Sequence, residues 1–318
     1  MKKNLYSLRM RLIMMTICQT NFLLTSIEIM AMNILITGAN GQLGNEMQLV
    51  LKDNADFKVF TTDVAELDIT DKSAIDRYIQ NNDIKLIINC AAYTAVDKAE
   101  DDIELCTKLN IEAPENLASL ALKYGTKLIH ISTDYVFNGM NHKPYNEDDI
   151  PNPDSVYGST KLAGERAIQS ILPNAIIIRT SWLYSVHGRN FVKTMLELGK
   201  TKESLKVVAD QVGTPTYAGD LAQAIYQIIS SGKWIPGIYH FSNEGACSWY
   251  DFTKVIHHMS GIKDCKVFPV PSSEYPTKAK RPFYSVLDKG KIKKSFGIEI
   301  PFWMDSLEKC LKALNCFN

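Results

Sequence analysis

Two side chains four positions apart, Tyr157 and Lys161, are the strongest candidates for chemistry in this chain. Residues i and i+4 of a helix share a face, so a helix here would hold the phenol beside the ammonium group. A free tyrosine, with a pKa of about 10, is a weak acid near neutral pH, and a nearby positive charge lowers that pKa. The pair is suited to proton donation. A Tyr-x-x-x-Lys pair also occurs by chance on solvated helix surfaces.

A hydroxyl group that could act with this pair follows an earlier strand. Residues 128–132 form an apolar run typical of a buried parallel strand, and Thr133 and Asp134 lie at its carboxyl end. Ligands of open α/β sheets bind at the carboxyl ends of strands. We therefore predict that Thr133 donates a hydrogen bond to a substrate carbonyl, with Asp134 beside it in the substrate site.

The element that positions these groups is the stretch from 33 to 44, a short apolar strand followed by three glycines. Gly38 permits a tight turn, Gly41 lets the backbone approach a pyrophosphate, and Gly44 lets the next helix pack against the strand. Free N–H groups at the helix start would face the phosphates. The stretch predicts the first unit of a dinucleotide-binding sheet, unless it is a glycine-bearing turn of some other α/β protein. The predicted cofactor contacts between the glycines are Asn40, Gln42 and Leu43.

The end of the second predicted strand, residues 57–62, supplies an acidic candidate. The strand leads to Asp63, whose carboxylate could accept hydrogen bonds from the adenosine ribose 2′-hydroxyl and would repel a 2′-phosphate. This feature favours NADH over NADPH. Asp68 and Ile69 follow and are predicted to lie under the adenine.

The third predicted strand, residues 85–90, ends in two small residues, Ala91 and Ala92. Small side chains at a strand's carboxyl end leave room for a ligand, although they could also serve helix packing alone. A long segment, 105–124, is predicted to be mainly helical with a kink or division at Pro114.

These motifs resemble the extended short-chain dehydrogenase/reductase family. Thr133, Tyr157 and Lys161 match its Ser/Thr–Tyr–Lys triad, and the glycines have its G-x-x-G-x-x-G spacing. The similarity runs from Met32 to about Leu314. Other matching stretches are Thr37–Gly44, Ala91–Glu100, Ser132–Phe137, Arg179–Tyr184, Asn190–Val192, Asp210–Thr216 and Arg281-Pro282.

The resemblance implies an α/β fold with a Rossmann-type, doubly wound parallel sheet and a smaller C-terminal substrate-binding lobe. It also implies NADH- or NADPH-dependent reduction of the C4 ketone of dTDP-4-dehydro-L-rhamnose, in nucleotide-sugar biosynthesis for cell-surface polysaccharide. Tyr157 would be the general acid, and Lys161 would lower its pKa and hold the nicotinamide ribose. Thr133 would stabilise the carbonyl oxygen, and Tyr93 would join the cofactor contacts.

For the dTDP-sugar substrate, the resemblance implies contacts from Trp182, Asn190 and Arg281. An indole offers a flat face for a base or sugar ring, and a guanidinium makes bidentate contacts to phosphate. Judged by residue type alone, Trp182 could equally be a core tryptophan and Arg281 part of a solvated basic loop.

Two other functions stay open from the sequence. Sugar-nucleotide epimerases and dehydratases share this fold, but a dehydratase usually needs an extra acid–base pair. Here Asp134 is followed by Tyr135 and not by a glutamate. A non-catalytic regulatory subunit of the same fold is the second alternative, and the intact triad argues against it.

The 318 residues are long enough for two lobes. We assign 32–180 mainly to an NAD(P)-binding domain and 181–318 mainly to a substrate lobe, with some segments returning to the first domain. Residues 1–31 are predicted to be an extension outside the fold. Either they form a signal peptide, or Met32 is the natural start, and we favour the second.

Net charge and cysteine spacing limit the kinds of partner and the cellular location that the sequence predicts. The formal net charge is +0, which predicts no bulk attraction to nucleic acid or to anionic membranes. The seven cysteines include no C-x-x-C pair, which is typical of reduced thiols in a cytoplasmic protein. The resemblance leaves open a homodimer with a bridging Mg²⁺ near Glu46, but the sequence assigns no full ligand set.

Overall fold

The computed structural model describes residues 31–317. Its strands, in chain order, are β1 (Met32–Thr37), β2 (Phe57–Thr62), β3 (Leu86–Asn89), β4 (Lys127–Thr133), β5 (Ile176–Thr180), β6 (Leu183–Tyr184), β7 (Ser204–Val208), β8 (Val212–Gly213), β9 (Thr216–Tyr217), β10 (Gly237–His240), β11 (Cys247–Ser248) and β12 (Lys266–Val270). Six of them form a parallel sheet in the order β10-β5-β4-β3-β1-β2. The other six pair as short two-stranded sheets.

Helices pack on both faces of this sheet and in the C-terminal region. They are α1 (Gln42–Leu51), α2 (Lys72–Asn81), α3 (Val96–Ala99), α4 (Ile103–Thr107), α5 (Ala113–Tyr124), α6 (Val156–Ile171), α7 (Phe191–Thr201), α8 (Ala218–Ser230), α9 (Trp249–Met259), α10 (Gly290–Phe296) and α11 (Trp303–Ala313). A π-helical turn, Lys108–Glu112, joins α4 to α5.

Strand β1 shows why the sheet is covered on both faces. Ile34 and Ile36 pack into one hydrophobic cluster with residues of α1 and α8, whereas Leu35 packs into a second cluster with residues of α2 and α5. Because successive side chains of a strand point to opposite faces, an all-apolar strand requires helices on both sides. The predicted doubly wound parallel sheet is confirmed.

A third cluster forms the core of the C-terminal region. It is built from α7, α9 and α11 around Phe252 and Trp303, which are almost fully buried. The capping box at the start of α9 sets where that helix begins, since Ser248 and Asp251 each satisfy the other's backbone N–H. This cluster lies apart from the two clusters that flank the parallel sheet.

The predicted helix over 105–124 is divided, and Pro114 is only part of the reason. Pro114 lies in the first turn of α5, where a missing N–H is tolerated. The π turn before it contains Asn110, whose side chain accepts a hydrogen bond from Tyr93 N–H (2.9 Å) and donates one to Thr160 Oγ1 (3.2 Å). A π turn contains one residue more than an α-helical turn, and here it directs the Asn110 side chain inward. Asn110 thereby joins this helical segment to Tyr93 and to Thr160 of α6.

The chain crosses from β2 over β1 to β3, so strand order reverses between β1 and β3. A crevice forms at the carboxyl ends of strands where such a reversal occurs. None of the helices within residues 31–317 is long and apolar enough to cross a membrane. The predicted extension, apart from its last residue, lies outside the described residues.

Candidate active site

A cavity of about 940 Å³ opens at the carboxyl ends of the central strands. The predicted residues that line it are Gly38, Gly41, Gln42, Leu43, Asp63, Asp68, Ile69, Ala91, Ala92, Thr133, Asp134, Tyr157, Lys161, Trp182 and Asn190. The fold thus brings cofactor and substrate candidates from both halves of the chain to one place.

The glycine turn between β1 and α1 forms one wall. Gly38 has φ +65°, a conformation that favours glycine, and a Cβ there would lie 2.7 Å from the backbone of Ala91. A Cβ on Gly44 would lie 2.7 Å from Ala39 Cα. Both glycines are therefore required for close packing of the turn, and α1 begins at Gln42 so that its free N–H groups face the cavity.

Asp63 fixes the far side of this turn. Its carboxylate accepts hydrogen bonds from Asn40 N–H (3.1 Å) and Val64 N–H (2.8 Å). Asn40 itself does not line the cavity. The Asn40 backbone N–H therefore orients the Asp63 carboxylate, and Asp63 lines the cavity.

Helix α6 carries the central pair. Ser155 caps it by accepting a hydrogen bond from Gly158 N–H (3.1 Å), and the first two turns then place Tyr157 and Lys161 against the sheet. Tyr157 is 9% exposed and Lys161 is 1% exposed, and both line the cavity. Tyr157 and Lys161 therefore share one face of α6, as predicted, and that face is buried at the carboxyl ends of the strands.

The Lys161 ammonium contacts β4. Its Nζ donates a hydrogen bond to the carbonyl oxygen of Ile131 (2.7 Å) and lies 3.3 Å from His130 Nε2. Burial lowers the pKa of Lys161 to about 8. Burial also raises the pKa of Tyr157, opposite in direction to the lowering predicted from Lys161, because desolvation of the phenolate outweighs the lowering effect of the neighbouring Thr133 hydroxyl.

Thr133 and Asp134 lie next to the phenol. Thr133 Oγ1 donates to Asp134 Oδ1 (3.1 Å) and accepts from Tyr135 N–H (3.2 Å). Asp134 is 2% exposed, its Oδ2 has no partner, and burial raises its pKa to about 6. Thr133, Tyr157 and Lys161 can together place a hydroxyl, a phenol and an ammonium group around one polar oxygen of a bound molecule.

The comparisons with known proteins agree with this geometry. The sequence profile of the RmlD substrate binding domain matches residues 32–316. A dTDP-4-dehydrorhamnose reductase of Aggregatibacter actinomycetemcomitans is 42% identical over 284 residues, which cover 86% of this chain and 97% of that protein. The chain belongs to the dTDP-4-dehydrorhamnose reductase family.

Solved reductases of this family share the fold. The Clostridium acetobutylicum dTDP-4-dehydrorhamnose reductase superposes with a TM-score of 0.86 and 46% identity, covering 89% of this chain and all (100%) of that one. The Bacillus anthracis dTDP-4-dehydrorhamnose reductase, solved in complex with NADP, has a TM-score of 0.85 and 39% identity, with coverage of 89% and 100%. The predicted family, fold class and enzyme class are confirmed.

Trp182 occupies a strained position at the cavity edge. Its φ is +47°, which is uncommon for a residue with a side chain. The indole stacks on Trp249 with ring centroids 3.5 Å apart, and a Cβ on Gly213 would lie 2.7 Å from it. The stack and the glycine hold a flat aromatic surface at the edge of the reductase cavity.

Two other predicted contacts of the reductase are not among the residues that line the cavity. Tyr93 donates its hydroxyl to Asp102 (3.3 Å). Arg281 donates to the Tyr135 hydroxyl (3.0 Å) and to Asp97 Oδ2 (2.7 Å). Neither Tyr93 nor Arg281 lines the cavity, although Tyr135 does.

Sequence reasoning missed several lining residues. Thr180 and Ser181 lie at the carboxyl end of β5, and Lys108 and Arg189 add two cations to the wall. The strand-end rule that found Ala91 would also have found Ser181. The two cations come from a helical turn and a loop, which have no comparable positional signal.

A bridging Mg²⁺ does not fit one copy of this reductase. Glu46 Oε1 is buried without a hydrogen-bond partner, and burial raises the pKa of Glu46. However, residues 31–317 contain no group of three or more His, Cys, Asp or Glu side chains that could hold a metal ion.

Proposed function

We propose that this protein reduces the C4 ketone of dTDP-4-dehydro-L-rhamnose to dTDP-L-rhamnose with NADPH or NADH. The observation that carries the proposal is the meeting of Thr133, Tyr157 and Lys161 with the glycine turn in one cavity. Curated relatives with this activity in their names, including the Aggregatibacter actinomycetemcomitans protein at 42% identity, support it.

The cofactor would lie along the glycine turn, and when bound it supplies the hydride. The N–H groups at the start of α1 would bind the pyrophosphate, and Asp63, Asp68 and Ile69, which line the same cavity, would contact the adenosine. A solved relative in complex with NADP supports NADPH as a cofactor. The preference of Asp63 for NADH stays a prediction.

The protein's own groups would handle the oxygen of the ketone. Thr133 would turn its hydroxyl proton from Asp134 to that oxygen as negative charge develops on it, and Tyr157 would give the oxygen a proton. Lys161 as an ammonium group favours the phenolate that Tyr157 becomes, because it places a positive charge on the same buried face. Rigid placement on β4 and α6 fixes these groups relative to each other.

On the substrate side, we propose contacts from Trp182, Asn190 and Asp134. Asn190 caps α7, and its amide donates to Gln42 Oε1 (2.9 Å), which joins the substrate wall to the glycine turn. Arg281 does not line the cavity and is hydrogen-bonded to Asp97. To bind the diphosphate of the substrate, its guanidinium would have to leave that carboxylate. We also propose that residues 181–318 are mainly the substrate lobe.

Replacing Trp182 with alanine is expected to raise the KM for the dTDP-sugar about 10-fold or more, because stacking on an aromatic ring contributes roughly 1–3 kcal/mol. The value of kcat changes less, since the indole is remote from proton transfer. Trp234→Ala is the matched control, because Trp234 binds the Asn174 carbonyl oxygen (2.7 Å) away from the cavity. An unchanged KM in Trp182→Ala would remove Trp182 from the substrate site.

The activity itself is tested with purified protein, the sugar-nucleotide ketone and NADPH, without any partner protein. The proposal predicts that one NADPH is consumed for each dTDP-L-rhamnose formed. NAD retained through purification and regenerated in each cycle would instead indicate an epimerase or dehydratase. Turnover only after addition of another enzyme would indicate a regulatory subunit.

Location and assembly are further parts of this proposal. The six cysteines within residues 31–317 are all free, which supports a reducing cytoplasmic location. Homodimer formation rests on the family resemblance. Light scattering coupled to gel filtration, with and without a chelator, tests both the dimer and a bridging Mg²⁺.

A further inference from the structure

Three polar side chains stand side by side beneath the cavity. In the parallel register, Thr37 of β1 lies opposite Asn89 of β3, and Asn89 lies opposite His130 of β4. All three are at most 1% exposed. Because laterally paired residues of a sheet point to the same face, the three form a continuous row. The row ends at Lys161, whose Nζ lies 3.3 Å from His130 Nε2.

The orientation of the Asn89 amide is determined by its partners. Its Oδ1 is 3.1 Å from Ala91 N–H and 2.7 Å from Thr37 Oγ1. A backbone N–H can only donate, so the atom facing it must be the amide oxygen. The amide nitrogen is then the atom 2.9 Å from His130 Nδ1, and it donates to that ring nitrogen.

This donation decides the tautomer of His130. A neutral imidazole carries one proton, so a ring whose Nδ1 accepts a hydrogen bond has its proton on Nε2. The ring is fully buried, and its pKa is lowered well below the ordinary value by burial and by Lys161. His130 therefore stays neutral and directs an N–H at the Lys161 nitrogen.

Two donors facing each other disfavour the ammonium form of Lys161. The free amine can accept the His130 N–H, whereas the ammonium group cannot. The other ionisable groups that act on Lys161 are Glu165 on the same helix and Cys106 on α4. Tyr157 lies four residues before Lys161 on α6. Glu165 is already bound by Arg179 through Oε1 (2.9 Å) and Oε2 (2.7 Å). Besides the carbonyl oxygen of Ile131 (2.7 Å), which accepts from either form of Lys161, the group in contact with Nζ is the titratable ring of His130.

We propose that His130, held by Asn89 with its proton on Nε2, is a positioning residue that keeps Lys161 close to losing its proton and so sets the alkaline limit of ketone reduction. This inference rests on the proposed function for its kinetic consequence. The structure supports it further, since burial lowers the pKa of Lys161 to about 8 while the pKa of Tyr157 is raised. As pH rises, the first proton to leave the pair therefore comes from Lys161.

The kinetic test is the pH dependence of kcat in Asn89→Asp. A carboxylate at position 89 accepts from His130 Nδ1, which moves the ring proton to Nδ1 and frees Nε2 to accept from the Lys161 ammonium. The alkaline limb of kcat is expected to move up by about one pH unit. Thr37→Val is the matched control. In this variant Ala91 N–H still orients the Asn89 amide, so the alkaline limb of kcat is expected to stay at the wild-type pH.

A second variant is needed in case the buried carboxylate of Asn89→Asp prevents folding. His130→Leu removes the N–H that faces Lys161, so its alkaline limb also moves up. A limb that stays at the wild-type pH in a folded His130→Leu protein overturns the proposal. A wild-type protein that does not reduce the ketone contradicts the proposed function instead.

The tautomer can be measured without any activity. Long-range ¹H–¹⁵N correlation spectra of histidine-labelled wild-type protein, assigned with His130→Leu, report which ring nitrogen carries the proton. The proposal predicts a protonated Nε2 and an unprotonated Nδ1 on His130. A proton on Nδ1 overturns it, whatever the kinetic result.

Discussion

Tyr157→Phe is expected to lower kcat for ketone reduction by about 10²–10⁴-fold, the usual contribution of a general acid. The phenylalanine ring keeps the packing of Tyr157 against Tyr135, whose ring centroid is 5.5 Å away, but it has no proton to give. The Kd for NADPH stays close to wild type, because the glycine turn and Asp63 are untouched. Steady-state kinetics and a fluorescence titration of NADPH measure the two effects separately.

Tyr184→Phe provides the matched control for this prediction. Tyr184 is also buried, its hydroxyl has no hydrogen-bond partner, and it does not line the cavity. Loss of that hydroxyl leaves kcat near wild type. If Tyr157→Phe turned over substrate as fast as Tyr184→Phe, Tyr157 would not be the acid.

Arg179→Met is expected to destabilise the folded protein by about 3–5 kcal/mol, because it leaves a buried carboxylate without its counter-charge. Arg179 is 1% exposed and donates to both oxygens of Glu165, at 2.9 and 2.7 Å. Its guanidinium also lies over the Phe137 ring, 5.2 Å from the centroid. A loss of this size is a large fraction of the roughly 5–15 kcal/mol that holds a typical protein folded. Urea unfolding measures it as a lower midpoint.

Two comparisons separate charge from packing at this position. Glu165→Leu combined with Arg179→Met removes both charges and is expected to recover much of the lost stability. Lys85→Met breaks an ion pair with Asp83 of 2.6 Å, but both side chains are more than half exposed, so the unfolding midpoint should hardly change. Equal destabilisation by Lys85→Met and Arg179→Met would show that burial does not govern the effect.

The parts of the site that the sequence predicted are those encoded by local spacing. The glycines after β1 and the four-residue step from Tyr157 to Lys161 depend on the geometry of one turn or one helix. Strand ends such as Thr133 and Ala91 were found because an apolar run shows where a parallel strand stops. These signals need no knowledge of which strands are neighbours.

The parts that were missed depend on pairings across the sheet. Asn89 and His130 are 41 residues apart in sequence, and they meet only because β3 lies beside β4 in a particular register. Similarly, Arg281 bonds to Asp97 across 184 residues, a contact that its predicted role at the substrate did not anticipate, and it does not line the cavity. Strand order and register are set by the packing of the whole sheet, so no local pattern in the sequence reveals these contacts.

The most direct test of the central claim follows the hydride itself. Purified protein is given dTDP-4-dehydro-L-rhamnose and NADPH carrying deuterium in the transferable position of the nicotinamide, and the product is analysed by mass spectrometry and NMR. The account predicts dTDP-L-rhamnose with one deuterium on sugar carbon 4, formed by the wild type and strongly reduced in Tyr157→Phe. A product without deuterium at that carbon, or no product while NADPH remains bound, would contradict it.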